Sequence, residues 1–181
     1  MSMASSDRPP LDVLVIGAGQ AGLAMGYQLA RGGRRFEIVD AAPEIGHVWR
    51  SRWDSLRLFT SGRYDNVPGL PFPPAANAYP SKDGAAGYLK AYAAQFRLPV
   101  RLNTAVTSLT RNDGAYIART GREAIEARQV VLATEPFQVP FTPQVPAQLH
   151  ADVIQTYSHD YRRPDDLPPG GVLVVGSSNS G

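Results

Sequence analysis

One glycine-rich motif constrains the fold of this chain more than any other feature. The pattern G-x-G-x-x-G occupies residues 17–22, directly after an apolar run at residues 12–17. Residues 20–31 have apolar side chains at helical spacing, and two glycines then end the predicted helix. A second apolar run at residues 36–40 ends in Asp40. This order of strand, glycine turn, helix and strand predicts a Rossmann-type βαβ unit.

Each part of the motif has its own physical reason. Gly17 permits the tight turn, Gly19 lets the backbone approach a pyrophosphate, and Gly22 lets the helix pack closely on the strand. The helix N-terminus offers free N–H groups and a positive dipole end to phosphate. Asp40 lies eighteen positions after Gly22 and can accept hydrogen bonds from ribose hydroxyls. Because a carboxylate repels a 2′-phosphate, the motif favours FAD or NAD over NADP. The alternative is a glycine turn that binds nothing.

The middle of the chain predicts a long loop, a helix and a small antiparallel meander. Residues 41–80 show no sustained period and contain both tryptophans, and a loop of this length is usually functional. Residues 82–97 carry an apolar face that is typical of an amphipathic helix. The predicted meander has alternating segments at 100–109, 115–120 and 123–127, with an Asn-Asp-Gly turn at 112–114.

The last third of the chain predicts two further strands separated by a linker. Residues 129–134 and 172–176 are apolar runs, and four prolines lie between positions 136 and 146. We expect the following organisation: a disordered N-terminus at 1–10, a first domain at 11–135, a linker at 136–171, and the first strand and glycine turn of a second unit at 172–181.

Composition excludes several classes of function. The chain has no cysteine, so it has no disulfide, thiol nucleophile or cysteine metal site, and its three scattered histidines predict no metal site. The net charge of +2 is small and its basic residues are dispersed, so we expect no nucleic-acid partner. No segment has the length and apolar character of a membrane span or a signal peptide. We expect a cytoplasmic protein.

The long loop carries motifs that resemble one family. Together with the glycine motif at residues 17–22, they make the chain resemble the bacterial flavin-containing monooxygenase-like proteins, which are flavoproteins with two dinucleotide-binding domains. The resemblance runs from about residue 12 to residue 181, and its further motifs are Gly46-His47-Val48-Trp49, residues 53–60, Tyr64-Asp65, residues 68–73 and Tyr79-Pro80-Ser81-Lys82. In that family the loop wraps the flavin, the first glycine motif holds FAD, and a second one holds NADPH.

The resemblance implies a role for particular residues. The glycine motif would hold the FAD pyrophosphate, and Asp40 the ribose. Trp49 and Arg50 would lie near the flavin, although Trp49 equally fits a core aromatic and Arg50 a surface charge. Val106 would lie beside the adenine. The cofactor-binding residues predicted in this way are Gly17, Ala18, Gly19, Gln20, Ala21, Gly22, Asp40, Ala41, Trp49, Arg50, Val106, Ala133, Thr134, Gly176, Asn179 and Gly181.

The chain departs from the family pattern at several positions. The family's Ala-Thr-Gly crossover ends in Glu135 here, and Ser178 replaces the middle glycine of the second motif. Tyr157 stands where relatives carry histidine, and the active-site asparagine of eukaryotic members, near the position of Ser61, is not matched. The sequence ends at Gly181, within the NADPH motif, so we expect the NADPH site to be incomplete and the second Rossmann unit to be truncated.

The resulting expectation is an α/β fold with a Rossmann-like FAD-binding domain and a small antiparallel β-meander. The resemblance implies an oxidoreductase in which NADPH reduces FAD and the reduced flavin activates oxygen to oxygenate a small molecule. No side chain is predicted to act as a catalytic acid, base or nucleophile. The alternatives are a truncated module that binds FAD or ADP without turnover, and a remnant that binds nothing. A second copy or another chain is a further predicted partner, because the strand at 172–176 needs a cover.

Overall fold

Six strands form one mixed sheet, and three helices accompany it. The computed structural model describes residues 9–73, 78–134, 149–150 and 152–176. The elements, in chain order, are β1 (Leu11–Ile16), α1 (Gln20–Arg31), β2 (Phe36–Val39), α2 (His47–Arg50), α3 (Lys82–Gln95), β3 (Val100–Arg101), β4 (Val106–Asn112), β5 (Ala115–Thr120) and β6 (Ala124–Leu132), with short 3₁₀ turns at Gly62–Tyr64 and Pro164–Asp166.

The parallel half of the sheet confirms the predicted βαβ unit. The strand order is β3-β2-β1-β6-β5-β4, and β1 pairs in parallel with β2 on one side and with β6 on the other. Because side chains alternate along a strand, Val13 and Val15 pack in one buried cluster while Leu14 packs in another. Burial on both faces explains the continuous apolar run of β1.

The antiparallel half corrects the predicted strand boundaries. Residues 123–127 and 129–134 were predicted as separate strands, but the structure has one continuous strand there, β6, which spans Ala124–Leu132. Ala127 belongs to both halves of the sheet, because it pairs with Tyr116 of β5 in antiparallel fashion and with Leu11 of β1 in parallel fashion. The polar pair at residues 128–129 is exposed and does not end the strand.

The segment at 100–109 was also predicted as one strand and is two. β3 joins the far edge of the sheet beside β2, whereas β4 pairs with β5. Asn103 separates them, because its φ of 51° turns the chain out of the extended conformation. Its N–H donates to the Ala42 carbonyl at 3.0 Å, which fixes the turn to the loop after β2. The turn predicted at residues 112–114 is confirmed.

Helix α3 confirms the predicted amphipathic helix and ends two residues earlier than expected. Ser81 caps it by accepting a 3.1 Å hydrogen bond from the Gly84 N–H. Tyr88 and Tyr92 are buried on its inner face. Tyr88 Oη accepts from the Val67 N–H and donates to the Leu70 carbonyl, both at 2.7 Å. The helix therefore anchors the long loop that sequence periodicity could not assign.

The chain after the sheet has no further strand among the described residues. Residues 172–176 were predicted to form one, but the structure shows them outside the sheet, with the Leu173 side chain 85% exposed. A strand needs a ladder partner for its N–H and C=O groups, and no described residue supplies one here. Several predicted features lie outside the described residues, namely residues 1–8, Glu135, residues 136–148, Ser178, Asn179 and Gly181.

Candidate functional site

Three strand ends meet at the carboxyl edge of the parallel half-sheet. Ile16 is in register with Val39 of β2 and with Leu132 of β6, so the residues that follow each strand lie side by side. The Gly17 N–H donates to the Val39 carbonyl at 2.8 Å, and the Ala133 N–H donates to the Ile16 carbonyl at 2.8 Å. The fold therefore brings together the glycine turn, Asp40 and Ala133.

Two glycines of the motif are required by contacts within the protein. Gly17 has a φ of 111°, and a Cβ atom there would lie 2.4 Å from the Ala133 carbonyl oxygen. A Cβ atom at Gly22 would lie 1.9 Å from the Gly17 carbonyl oxygen. Real Cβ atoms do not approach other atoms this closely, so any side chain at either position displaces backbone. These glycines account for the tight strand-to-helix turn whether or not a ligand binds.

Gly19 is different, because no contact among the described residues requires a glycine there. A Cβ atom at Gly19 would meet no described atom within 4 Å, and its φ of −76° is open to any residue. Gly19 is the N-cap of α1, and no side chain caps the first helical turn. Ala18 is buried in this turn, whereas Gln20 and Ala21 are exposed on the first turn of the helix. The arrangement leaves open space beside free N–H groups, which suits the close approach of a phosphate.

Asp40 ties the glycine turn to the loop after β2. The carboxylate oxygen Oδ2 accepts from the Ala18 N–H at 2.5 Å, and Oδ1 accepts from the Ala42 N–H at 2.8 Å. Its backbone is fixed as well, since the Asp40 carbonyl accepts from the Thr104 N–H at 2.8 Å. Each carboxylate oxygen has two acceptor positions, so one on each remains for a ribose hydroxyl. The adjacent Ala41 is exposed.

Helix α2 carries the two residues predicted near the flavin. Trp49 is half-buried against the core beneath the sheet and also lines a small cavity. The Arg50 guanidinium pairs with protein carboxylates, since Nε lies 3.4 Å from Glu44 and Nη1 lies 3.5 Å from Asp83. Trp49 therefore packs as a core aromatic, and its proximity to a flavin stays a prediction, while the contacts of Arg50 are with these two acids.

The cavity beside Trp49 contains a residue that sequence reasoning did not single out as a ligand. Its volume is about 70 Å³. Asp65 lines it and has one buried carboxylate oxygen, Oδ2, that finds no hydrogen-bond partner among the described residues, while its other oxygen accepts from Thr60 Oγ1. A buried acceptor without a donor is costly. The cavity is lined by Gln20, Trp49, Leu58, Tyr64, Asp65, Val67, Phe72, Ala85, Tyr88 and Leu89.

The remaining predicted residues are spread over two regions. Val106 begins β4 and packs against the buried cluster of Leu14 and Val39 on the other face of the sheet. Thr134 is exposed directly after Ala133. Gly176 has a φ of 122° and no described atom within 4 Å of a Cβ position. The proximity of Val106 to an adenine and the role of Gly176 at a second nucleotide stay predictions.

The described residues hold no arrangement typical of acid–base or metal catalysis. No three His, Cys, Asp or Glu side chains in this part of the chain converge on a metal position. His150 and His159 each lie beside one neighbouring aspartate on the surface. In the same part of the chain, no helix is both long enough and apolar enough to cross a membrane.

Comparisons with known proteins agree with this geometry. The family model described as pyridine nucleotide-disulphide oxidoreductase matches residues 14–181. An uncharacterised CzcO-like oxidoreductase of Geobacillus kaustophilus is 46% identical over 171 residues, which cover 94% of this chain and 49% of the relative. The chain therefore spans about half the length of the curated relatives that it matches.

Two solved structures extend the comparison to flavoproteins. A flavin-containing monooxygenase from Stenotrophomonas maltophilia superimposes with a TM-score of 0.82 at 31% identity, covering 88% of this chain and 48% of that one. An oxidised steroid monooxygenase bound to NADP superimposes with a TM-score of 0.67 at 27% identity, covering 75% and 28%.

The residues of this site fit a bound FAD. The open space at Gly19 and the uncapped start of α1 suit a pyrophosphate, and the free acceptor positions of Asp40 suit a ribose. Asp65 lines the cavity beside Trp49 and has a buried oxygen for which the described residues supply no donor.

Proposed function

The chain belongs to the pyridine nucleotide-disulphide oxidoreductase family, and we propose that it forms the FAD-binding half of an NADPH-dependent flavin monooxygenase. The observation that carries the proposal is the contrast among the three glycines of the motif. Gly17 and Gly22 are explained by contacts within the protein, whereas Gly19 faces open space at an uncapped helix start. A side chain at Gly19 would obstruct a ligand there while meeting none of the residues that the structure describes.

The chemistry of the relatives and of this chain also supports the proposal. The relative from Stenotrophomonas maltophilia is a flavin-containing monooxygenase, and the steroid monooxygenase was solved with NADP bound. This chain has no cysteine, so the dithiol chemistry in the family's name is not open to it. Flavin oxygenation needs no nucleophilic side chain, because the cofactor itself performs the difficult step.

The residues of the chain then have distinct parts in holding FAD. The N–H groups at the start of α1 hold the pyrophosphate, Asp40 accepts from the ribose, and Val106 lies on the adenine side. Trp49 lies on the side of the flavin half. When bound, FAD accepts a hydride from NADPH and, once reduced, activates oxygen. The protein orients the cofactor and keeps water from it.

Several finer features remain proposals. The second glycine motif, from Gly176 through Asn179 to Gly181, would contribute to NADPH binding, and Ala133 with Thr134 would mark the crossover towards it. A cytoplasmic location and a second copy or another chain against the exposed residues 172–176 are likewise proposed. The substituted positions Glu135 and Ser178 favour the second candidate function, an FAD-binding or ADP-binding module without turnover.

One experiment separates these functions. The protein is loaded with FAD, desalted, and titrated anaerobically with NADPH while the flavin absorbance near 450 nm is followed. Bleaching by NADPH, with recovery of the absorbance in air, is the expected result for a monooxygenase. Retained flavin that NADPH does not bleach would support the module. A folded protein that retains no flavin would overturn the monooxygenase, and one that also fails to bind ADP in a calorimetric titration would overturn the module.

A further inference from the structure

Lys82 is the only charged residue that is buried within the described part of the chain. It is the first residue of α3, and its side chain is 11% exposed. Nζ donates to the carbonyl of Arg52 at 2.9 Å, to Asp54 Oδ1 at 3.0 Å and to the carbonyl of Arg50 at 3.3 Å. An ammonium group has three donors, and here all three are used by one short loop, residues 50–54.

Asp54 connects that loop to a third segment. Its N–H donates to the carbonyl of Arg162 at 2.9 Å, and Oδ2 lies 3.9 Å from Nε of Arg163. The hydrogen bond and charge of Lys82 lower the pKa of the Asp54 carboxyl below its usual value, so the group is ionised at neutral pH. Lys82 and Asp54 together join α3, the loop and the chain that follows the sheet.

The loop formed by residues 50–54 lies next to the cavity beside Trp49. Residues 50–54 directly follow Trp49, which lines the cavity. Within this stretch, the Arg52 N–H donates to the Trp49 carbonyl at 3.1 Å, which is a local backbone bond. Gly46, at the start of α2, is pressed against Ala86 of α3. Trp49 therefore lies between two contacts with α3. Gly46 packs against the helix before it, and the Lys82 ammonium group binds residues 50–54 after it.

We propose that Lys82 is a positioning residue that, through Asp54, fixes the Trp49 side of the cavity against α3 and couples it to the segment at Arg162 and Arg163. The proposal deepens the proposed function and rests on it for the identity of the bound flavin. Loss of the ammonium leaves two carbonyls and a carboxylate without their donor, so the loop opens. Binding of the flavin half weakens, while the ADP half, held at the glycine turn and Asp40, is unaffected.

The chain offers a matched control, because its two lysines, Lys82 and Lys90, lie on the same helix. Lys90 is exposed. The test compares Lys82→Met, Lys82→Arg and Lys90→Met with the unchanged protein. Affinities for FAD and for ADP are measured by calorimetry, and amide hydrogen exchange is followed in residues 50–54 and around Arg162 without ligand. Asp54→Asn, at a half-exposed position, serves as a second variant that keeps the fold.

We expect Lys82→Met to speed exchange in residues 50–54 and to weaken FAD at least about tenfold with ADP affinity unchanged. Lys82→Arg restores part of the FAD affinity, Lys90→Met matches the unchanged protein, and Asp54→Asn speeds exchange around Arg162. An FAD-to-ADP affinity ratio that neither Lys82→Met nor Asp54→Asn alters would overturn the proposal, even if both lower the melting temperature. Failure of the unchanged protein to bind FAD or ADP would refute the proposed function. In that case, hydrogen exchange in residues 50–54 that Lys82→Met leaves unaltered would separately refute the positioning role of Lys82.

Discussion

A methyl group on Gly22 would lie 1.9 Å from the carbonyl oxygen of Gly17. The first turn of α1 therefore rests directly on the turn that leaves β1, with no space for a side chain between them. This contact sets the distance between helix and strand, and through it the position of the N–H groups at the start of the helix. The contact links the packing of the fold to the geometry of the nucleotide site.

Gly22→Ala is expected to destabilise the protein by about 2–4 kcal/mol, because the new methyl group displaces backbone in a packed interior. Urea unfolding followed by circular dichroism measures the loss. Gly87→Ala is the matched control, since Gly87 lies within α3 and a Cβ atom there meets no atom within 4 Å. That control should be neutral or stabilising, as alanine is a better helix former. Equal stability of the two variants would contradict the close contact.

Asp40→Asn is expected to lower both stability and nucleotide affinity. The amide oxygen can accept from only one of the two N–H groups of Ala18 and Ala42, and the amide nitrogen cannot accept from the other. A buried donor without a partner costs about 1–3 kcal/mol. Denaturant titration gives the free energy of unfolding, with Asp113→Asn in the exposed turn as the control. A stability equal to that of the control would show that the carboxylate does not hold the turn.

Asp65→Asn is expected to have opposite effects on the free and the ligand-bound protein. Because Oδ2 is buried without a donor, removal of the charge leaves the free protein as stable or more stable. In the FAD complex the same change removes an acceptor, so FAD affinity falls while ADP affinity stays the same. Thermal melts and calorimetry with each ligand test this. Loss of stability together with unchanged FAD affinity would contradict a cofactor role for Asp65.

The buried tyrosines of α3 predict a loss of stability in alkaline solution. Burial raises the pKa of Tyr92 from 10.0 to about 12, with the Tyr88 and Tyr27 rings adding to the effect. Burial also raises the pKa of Tyr88. The unfolded chain therefore releases these protons at a lower pH than the folded one, and the free energy of unfolding falls as pH rises from 10 to about 12.

Denaturant titrations across this range measure the effect, and Tyr92→Phe should remove part of the slope. Tyr92 Oη donates to the Pro68 carbonyl at 2.6 Å, so this variant is also less stable at neutral pH. A pH dependence that is the same with and without Tyr92 would contradict the assignment.

The βαβ core could be predicted from the sequence because several local signals agree there. Apolar runs, glycines at a turn and the spacing to Asp40 all indicate one unit, and α1 spans the predicted residues 20–31. Strand β6 was divided incorrectly because the polar residues Arg128 and Gln129 interrupt its apolar pattern. Only tertiary pairing shows that Ala127 joins two different neighbours.

The site was predictable where a motif marks it and not elsewhere. Lys82 follows a serine at a helix start and has the sequence character of a surface charge, and only the folded loop shows it to be buried. Asp65 belongs to a recognised motif, but its partnerless oxygen depends on how residues 60–72 fold over α3. Contacts between segments that are distant in sequence carry no local signal, and both residues owe their environment to such contacts.

The most direct test of the account is the FAD affinity of the unchanged protein beside that of Gly19→Val, measured by calorimetry with circular dichroism as the folding control. The account predicts about one FAD per chain for the unchanged protein, and for the variant a native spectrum with affinity reduced at least about a hundredfold, equivalent to ~2.7 kcal/mol. The absence of FAD binding by the folded, unchanged protein, or equal affinity in the two proteins, would contradict the placement of FAD at the first glycine motif.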